Sequence, residues 1–229
     1  MSIAISNYKP SIGVVEFLNN EPNSLDSSVV TRNVQRGEYF YLPNSTTEKV
    51  YYLESGRIKL GFVDEEGKEV LQDMLSSGQI FGEQGLSNET HRKEFAKALD
   101  NATVRIIRLS YLRELMAQKP DLTQKIIALI NEKHYKMQER WRSQTRTHSK
   151  VRIIHFMMDL AKQHGRKVGT EMLVLNFFTH QELADLVGSS RQTVTMLLND
   201  LKSRNLIYFD RKRLLVRNME LLAKECHSV

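Results

Sequence analysis

The chain has 229 residues, 41% hydrophobic and 26% charged, enough to bury one large core or two smaller ones and too balanced for a disordered or fibrous chain. Lys and Arg number 33 against 27 Asp and Glu, and the excess is local: residues 1–149 carry 20 basic and 19 acidic side chains, residues 150–229 carry 13 and 8. The last third of the chain therefore expects a polyanionic partner.

The start, MSIAISNYKP, lacks the apolar run of a signal peptide, and Val14, Val15, Phe17 and Leu18 predict a short helix in the first 30 or so residues. No window approaches the roughly 20 apolar residues that span a bilayer, so a soluble cytoplasmic protein without a membrane partner is expected. From Val34 to about Leu109 short β-branched and aromatic runs, such as Val50-Tyr-Tyr-Leu and Arg57-Ile-Lys-Leu-Gly-Phe-Val, alternate with glycine turns. Asp64-Glu65-Glu66-Gly67 forms a polar hairpin tip, and this turn spacing predicts a β-barrel or sandwich.

After Pro120-Asp121 the period changes: Ile127, Ile130, His134, Met137 and Trp141 recur at spacings of three, four, three and four. That is a heptad seam on a long helix with polar flanks, and it predicts a two-helix dimer contact rather than a helix lying on the β core. Arg142 to Lys150 carries no apolar residue and is the expected hinge. Val151, Ile154, Met158 and Ala161 then open an amphipathic helix that should stop at Gly165.

Thr179 with Glu182 has capping-box spacing, Leu183, Ala184 and Val187 form an inner face, and Gly188 suits a helix stop. Ser189 with Gln192 offers a second capping box, opening a helix whose inner face is Val194, Leu197, Leu198 and Leu201. Its outer face carries Arg191, Gln192, Thr195, Met196 and Asn199. Arg can bond guanine bidentately and Gln adenine, and a helix N-terminus in the major groove presents its first turn to the bases. Leu206 to Val216 predicts two strands around a tip at Asp210 to Lys212, placing Arg211, Lys212 and Arg213 beside phosphates. The expected DNA-binding set is Thr179, Gln181, Ser189, Ser190, Arg191, Gln192, Thr193, Thr195, Met196, Asn199, Arg211, Lys212 and Arg213. At the chain's end the single cysteine, Cys226, excludes an intramolecular disulfide and any Cys-ligated zinc or iron–sulfur cluster within one chain; no metal site is expected.

With these residues in view, residues 30–218 resemble the CRP/FNR family of bacterial transcription regulators. The marks are Val50-Tyr-Tyr-Leu-Glu-Ser-Gly-Arg-Ile-Lys-Leu, Asp64-Glu-Glu-Gly-Lys-Glu, Gly78-Gln-Ile-Phe-Gly-Glu-Gln-Gly-Leu86 and Gly188-Ser-Ser-Arg-Gln-Thr-Val-Thr. The resemblance implies an α+β fold: an effector-sensing β-roll of the cyclic-nucleotide-binding jelly-roll type over 1–119, a dimerisation helix and hinge over 120–148, and a winged helix-turn-helix over 149–229. It also implies a homodimer on double-stranded DNA, with RNA polymerase as a further partner, and no enzymatic activity. A two-fold dimer predicts an inverted repeat with half-site centres ~34 Å apart. Gln192 and Met196 stand where the best-known member type carries Glu and Arg, so the half-site should differ from the usual TGTGA-like one.

In members that bind cyclic AMP, a Gly-Glu pair contacts the ribose and an Arg-Ser or Arg-Thr pair about ten residues on holds the cyclic phosphate. Gly82-Glu83 matches the first pair, and Arg92 supplies the base, but Glu94 or, with a one-residue shift, Lys93 fills the hydroxyl position. A carboxylate there repels the phosphate and removes a donor. Met137 and Gln138 fall where such members carry Thr-Ser. Cyclic AMP is therefore disfavoured as the effector, and the cofactor stays unknown: an unidentified small molecule and an ion pair between Glu83 and Arg92 in a pocket that binds nothing are equal alternatives. A four-cysteine iron–sulfur cluster is ruled out, and for a haem only His91 lies near the pocket loop. A cupin-like enzyme needs clustered histidines, whereas residues 34–109 hold His91 alone. The remaining alternative is a ligand-independent regulator with a structural β-roll.

Overall fold

A computed structural model describes residues 28–210 and 212–227. The expected N-terminal helix and Arg211 lie outside the described residues. The chain divides into two compact units with the boundary between Lys133 and His134.

The first unit holds eight strands: β1 (Val29–Val34), β2 (Tyr39–Tyr41), β3 (Lys49–Ser55), β4 (Arg57–Val63), β5 (Glu69–Ser76), β6 (Ile80–Phe81), β7 (Phe95–Ala98) and β8 (Ala102–Arg108). They form two antiparallel four-stranded sheets, ordered β1-β8-β3-β6 and β2-β7-β4-β5. The β4–β5 hairpin pairs Val63 with Glu69 across the polar tip predicted at Asp64–Gly67, where the Asp64 carboxylate accepts from the Glu66 and Lys68 amides. Alternation along β3 sends Tyr51 and Leu53 into a core with Ile58, Leu75, Phe81 and Val104. Val50 and Tyr52 point the other way, into a second cluster with Leu112, Leu115, Leu122 and Ile126. Those last four come from α1 (Leu109–Gln118), which the sequence reading did not single out, and from the start of α2 (Pro120–Arg146). Both faces of β3 are thus covered, which is why four of its seven residues in a row are buried.

The second unit takes in the rest of α2, then α3 (Ser149–His164), β9 (Arg166–Val168), β10 (Glu171–Leu175), α4 (His180–Val187), α5 (Arg191–Ser203), β11 (Ile207–Phe209), β12 (Arg213–Val216) and α6 (Met219–Lys224). The strands make one antiparallel sheet, β11-β12-β10-β9. The polar segment expected as a hinge is helical for most of its length: α2 continues to Arg146 and α3 starts at Ser149, so the break is confined to Thr147 and His148. Polarity measured exposure there, not loss of helix. α3 ends before Gly165 as predicted, but its buried stripe is Ile153, Ile154, Phe156, Met157, Leu160 and Ala161, with Val151 and Met158 at its margins. The inner faces of α4 and α5 are those the sequence predicts, Ala184, Leu198 and Leu201 being fully buried.

Candidate DNA-binding surface and effector pocket

The helix-turn-helix is set by its caps. The Thr179 hydroxyl accepts from the Glu182 amide while the Glu182 carboxylate accepts from the Thr179 amide, and Gly188 closes α4 at φ 63°. A Cβ on Gly188 would lie 2.5 Å from the end of the exposed Gln144 side chain, which can swing aside, so it is the left-handed conformation that calls for glycine here. The cap of α5 is Ser190, whose hydroxyl accepts from the Thr193 amide, and not Ser189. Ser189 has the spacing of a cap because Gln192 follows three residues later; in the structure its Oγ is buried without a hydrogen-bond partner, and its amide donates to Ala184 O at 2.9 Å. The αL glycine and this turn bond carry the chain one residue further before α5 begins.

Arg191, Gln192, Met196 and Asn199 are exposed on one side of α5, Met196 at 66%. Arg191 and Gln192 sit in its first turn, at the positive end of the helix dipole. Thr195 is half-buried, its hydroxyl donating to Arg191 O at 2.8 Å and meeting His180 Nδ1 at 2.9 Å. Thr193 meets the Ser190 hydroxyl, and Gln181 donates to Asp185 at 2.8 Å. In the wing, Asp210 accepts from the amides of Lys212 and Arg213 and from the Arg213 guanidinium. Those bonds, the Lys212 amide first, hold the Asp210 carboxyl below the usual carboxylate range. The Lys212 side chain is exposed; Arg213, although exposed, is partly engaged by Asp210 and lies over the Tyr208 ring.

One cation missed by the sequence reading organises this unit. Arg152, on the first turn of α3, is buried, and its guanidinium donates to Val187 O at 2.8 Å, Gly188 O at 2.6 Å, Gln144 O at 3.4 Å and Thr147 O. It therefore serves the carbonyl ends of α2 and α4 together, where helix dipoles favour positive charge.

In the β-roll, Gly82 and Arg92 come together. Gly82 has φ 73°, and a Cβ on it would stand 2.8 Å from Arg92 Nη1. Arg92 is 1% exposed, donates to Gly82 O at 2.6 Å and to Lys49 O, and stacks over the Tyr41 ring at 4.4 Å; its Nε is unpartnered. The Tyr41 hydroxyl donates to Glu94 at 2.7 Å. Burial pushes the Glu94 carboxyl up, against that hydrogen bond, and nearby Glu83 pushes the same way. Burial, joined by the charge of Glu94, also raises the Tyr41 phenol. Lys93 points outward and pairs with Glu89, so Glu94, not Lys93, shares the side of Arg92 and Tyr41. The Glu83–Arg92 ion pair, one of the two alternatives for this pocket, is not formed: Glu83 pairs with Lys133 at 2.6 Å, while the Arg92 guanidinium is turned to the backbone carbonyls. His91 lies in the neighbouring loop, its Nδ1 against the Thr90 hydroxyl.

Along α2, Ile127 and Trp141 are 51% and 69% exposed, and Ile130, His134 and Met137 are exposed with them; Tyr135 adds a further exposed ring. Gln138 meets His134 at 2.9 Å.

Residues 31–119 match the cyclic nucleotide-binding domain family and residues 151–225 the Crp-like helix-turn-helix domain family. The global nitrogen regulator of Synechococcus elongatus is 26% identical over 195 residues, 83% of this chain and 87% of that protein. The cAMP-activated global transcriptional regulator CRP of Escherichia coli is 29% identical over 170 residues, 74% of this chain and 80% of that one. Among solved structures, a CRP-family transcriptional regulator from Thermus thermophilus matches with a TM-score of 0.73 at 21% identity, over 86% of this chain and 97% of that one. The chain belongs to the CRP/FNR family of transcription regulators, with a cyclic nucleotide-binding domain and a Crp-like helix-turn-helix domain. It is a non-enzymatic DNA-binding protein, and its fold is the α+β arrangement that the resemblance implies. No helix among the described residues is long and apolar enough to cross a membrane.

Proposed function

We propose that this regulator binds an inverted-repeat DNA site as a homodimer, with α5 in the major groove, and answers to a small molecule other than cyclic AMP. The exposed first turn of a capped α5, carrying Arg191 and Gln192, is the observation that supports the DNA reading. Arg191 and Gln192 read base edges, Met196 packs on them, and Thr179, Gln181, Ser190, Thr193, Thr195, Asn199 and the wing cations Arg211, Lys212 and Arg213 fix register on the backbone, while Ser189, its Oγ buried and its amide bonded to Ala184 O, shapes the turn from within instead of touching DNA as the sequence suggested. Residues 1–119 sense, 120–148 dimerise through the exposed seam, and 149–229 bind DNA. The relatives' names point to different signals, nitrogen status in one and cAMP in the other, so neither passes to this chain unaided.

Against a cyclic phosphate stand Arg92, whose two terminal nitrogens already serve Gly82 O and Lys49 O, and Glu94 beside it. Tyr41 with Glu94 and Glu83 with Lys133 are also paired, which favours the second reading, a β-roll that binds nothing, whereas the unpartnered, buried Arg92 Nε favours a ligand. Selection of bound duplexes from a random pool at fixed salt, with and without cyclic AMP and with cell metabolite fractions, tests both. An inverted repeat with the ~34 Å half-site spacing is expected. A tenfold tightening by cyclic AMP would overturn the effector argument. Affinity unmoved by every fraction would favour the ligand-free regulator.

A further inference from the structure

His180 opens α4 between two residues expected at DNA, yet neither composition nor motif singled it out. Its ring is half-buried, and the hydrogen bond from Nδ1 goes to Thr195, on the outer side of α5 rather than among Val194, Leu197, Leu198 and Leu201. The ring also leans on Phe209 of the wing, centroids 5.5 Å apart. It therefore joins α4, α5 and the wing on the recognition side.

With the Thr195 hydroxyl donating to Arg191 O at 2.8 Å, its oxygen is set to accept from His180 Nδ1–H, the tautomer that leaves the lone pair on Nε2. Nε2 has no hydrogen-bond partner among the described residues. A second proton enters at Nε2 without disturbing the Thr195 bond and turns that edge from acceptor into charged donor.

We propose that His180 is a proton-linked DNA contact: its Nε2 takes up a proton as the phosphate backbone closes on it, adding a charge-assisted bond at each half-site. This rests on the DNA-binding reading above. The groups around the ring agree in sign. Arg191 from α5 is the charged neighbour; with burial ahead of it, it keeps free His180 below the usual histidine range. Further along α5, Lys202 lies over the Phe209 ring at 5.0 Å, and on the wing Asp210 is committed to Arg213. On its own helix Glu182 is turned back to the Thr179 cap. Phosphates supply the negative field that this setting lacks, so protonation follows DNA rather than preceding it.

The test is affinity of the full chain for a selected duplex at fixed ionic strength from pH 8.5 to 5.5, with calorimetry at pH 7 in buffers of different ionisation heat. Wild type is expected to bind more tightly as pH falls, by about tenfold per pH unit for each proton at full linkage, and to take up protons in calorimetry. His180→Gln keeps a donor near the Nε2 position and His180→Asn one near Nδ1; both are expected to lose the proton uptake and flatten the profile. A variant retaining the wild-type slope, or a wild type that binds its duplex without proton uptake, overturns the proposal and leaves the DNA reading standing. Failure to select any duplex at any pH overturns both.

Discussion

Arg191 and Lys212 are both exposed cations of the same unit, and the proposed DNA reading gives them different work. On that reading Arg191, in the first turn of α5, makes a bidentate contact that discriminates between bases, whereas Lys212, at the wing tip, contributes charge alone. Arg191→Ala should cost about 1–3 kcal/mol at the specific site and relax the preferred base, while Lys212→Ala should weaken all duplexes alike and lower the salt slope by about one. Equal losses on specific and random DNA for Arg191→Ala would remove the base contact. Glu94 makes a separate point about the β-roll. A carboxyl raised in the folded state favours folding below its unfolded range, and that advantage disappears as pH rises through the folded value. Glu94→Gln should therefore gain stability relative to wild type as pH climbs from about 4.5 toward neutrality. Melting curves offset by the same amount at every pH would show that Glu94 titrates alike in both states.

At the level of elements, the parts legible in the sequence are those with short-range signatures. The capping box at Thr179, the glycine stop at Gly188, the inner face of α5 and the tip at Asp64–Gly67 each depend on residues within a few positions of one another. What the sequence concealed depends on partners far away. Ser190 displaces Ser189 as the cap because the Ser189 amide is bonded back to Ala184 O, and Arg152 looked like any helix cation although its acceptors lie at 144, 147, 187 and 188. The β9–β10 hairpin and α1 lack a strong period of their own and owe their places to β12 and to the β3–β8 face. The cap assignment has a direct check: Ser190→Ala should cost about 1 kcal/mol and Ser189→Ala clearly less, since the latter removes a buried hydroxyl that bonds nothing. Arg152→Ala, which strips four carbonyls of their donor, should cost about 3 kcal/mol in chemical denaturation; a loss under about 1 kcal/mol would show that water replaces the guanidinium.

For the whole molecule, the exposed seam of α2 is the feature that a single chain leaves unfinished. Ile127, Ile130, Met137 and Trp141 stand exposed in heptad register, and on the homodimer reading proposed above a second copy would cover them by the same contacts on both sides. Ile130→Asp should convert the protein to a monomer in sedimentation velocity, because each subunit would have to bury an unpaired charge. A dimer that survives it has its contact elsewhere. The pocket residues, by contrast, were recognisable only through family resemblance, and their pairing pattern became visible only in three dimensions: Arg92 turned to backbone carbonyls is a choice that no local rule in the sequence announces.

Arg152 also decides where the machine can bend. The last turn of α2 and the end of α4 are lashed to one guanidinium, so rotation at the Thr147–His148 break has to rupture those bonds first. A twist placed in α2 upstream of Gln144 leaves all of them whole. In mechanical terms the final turn of the long helix is cargo of the winged helix, tied to it by a single side chain.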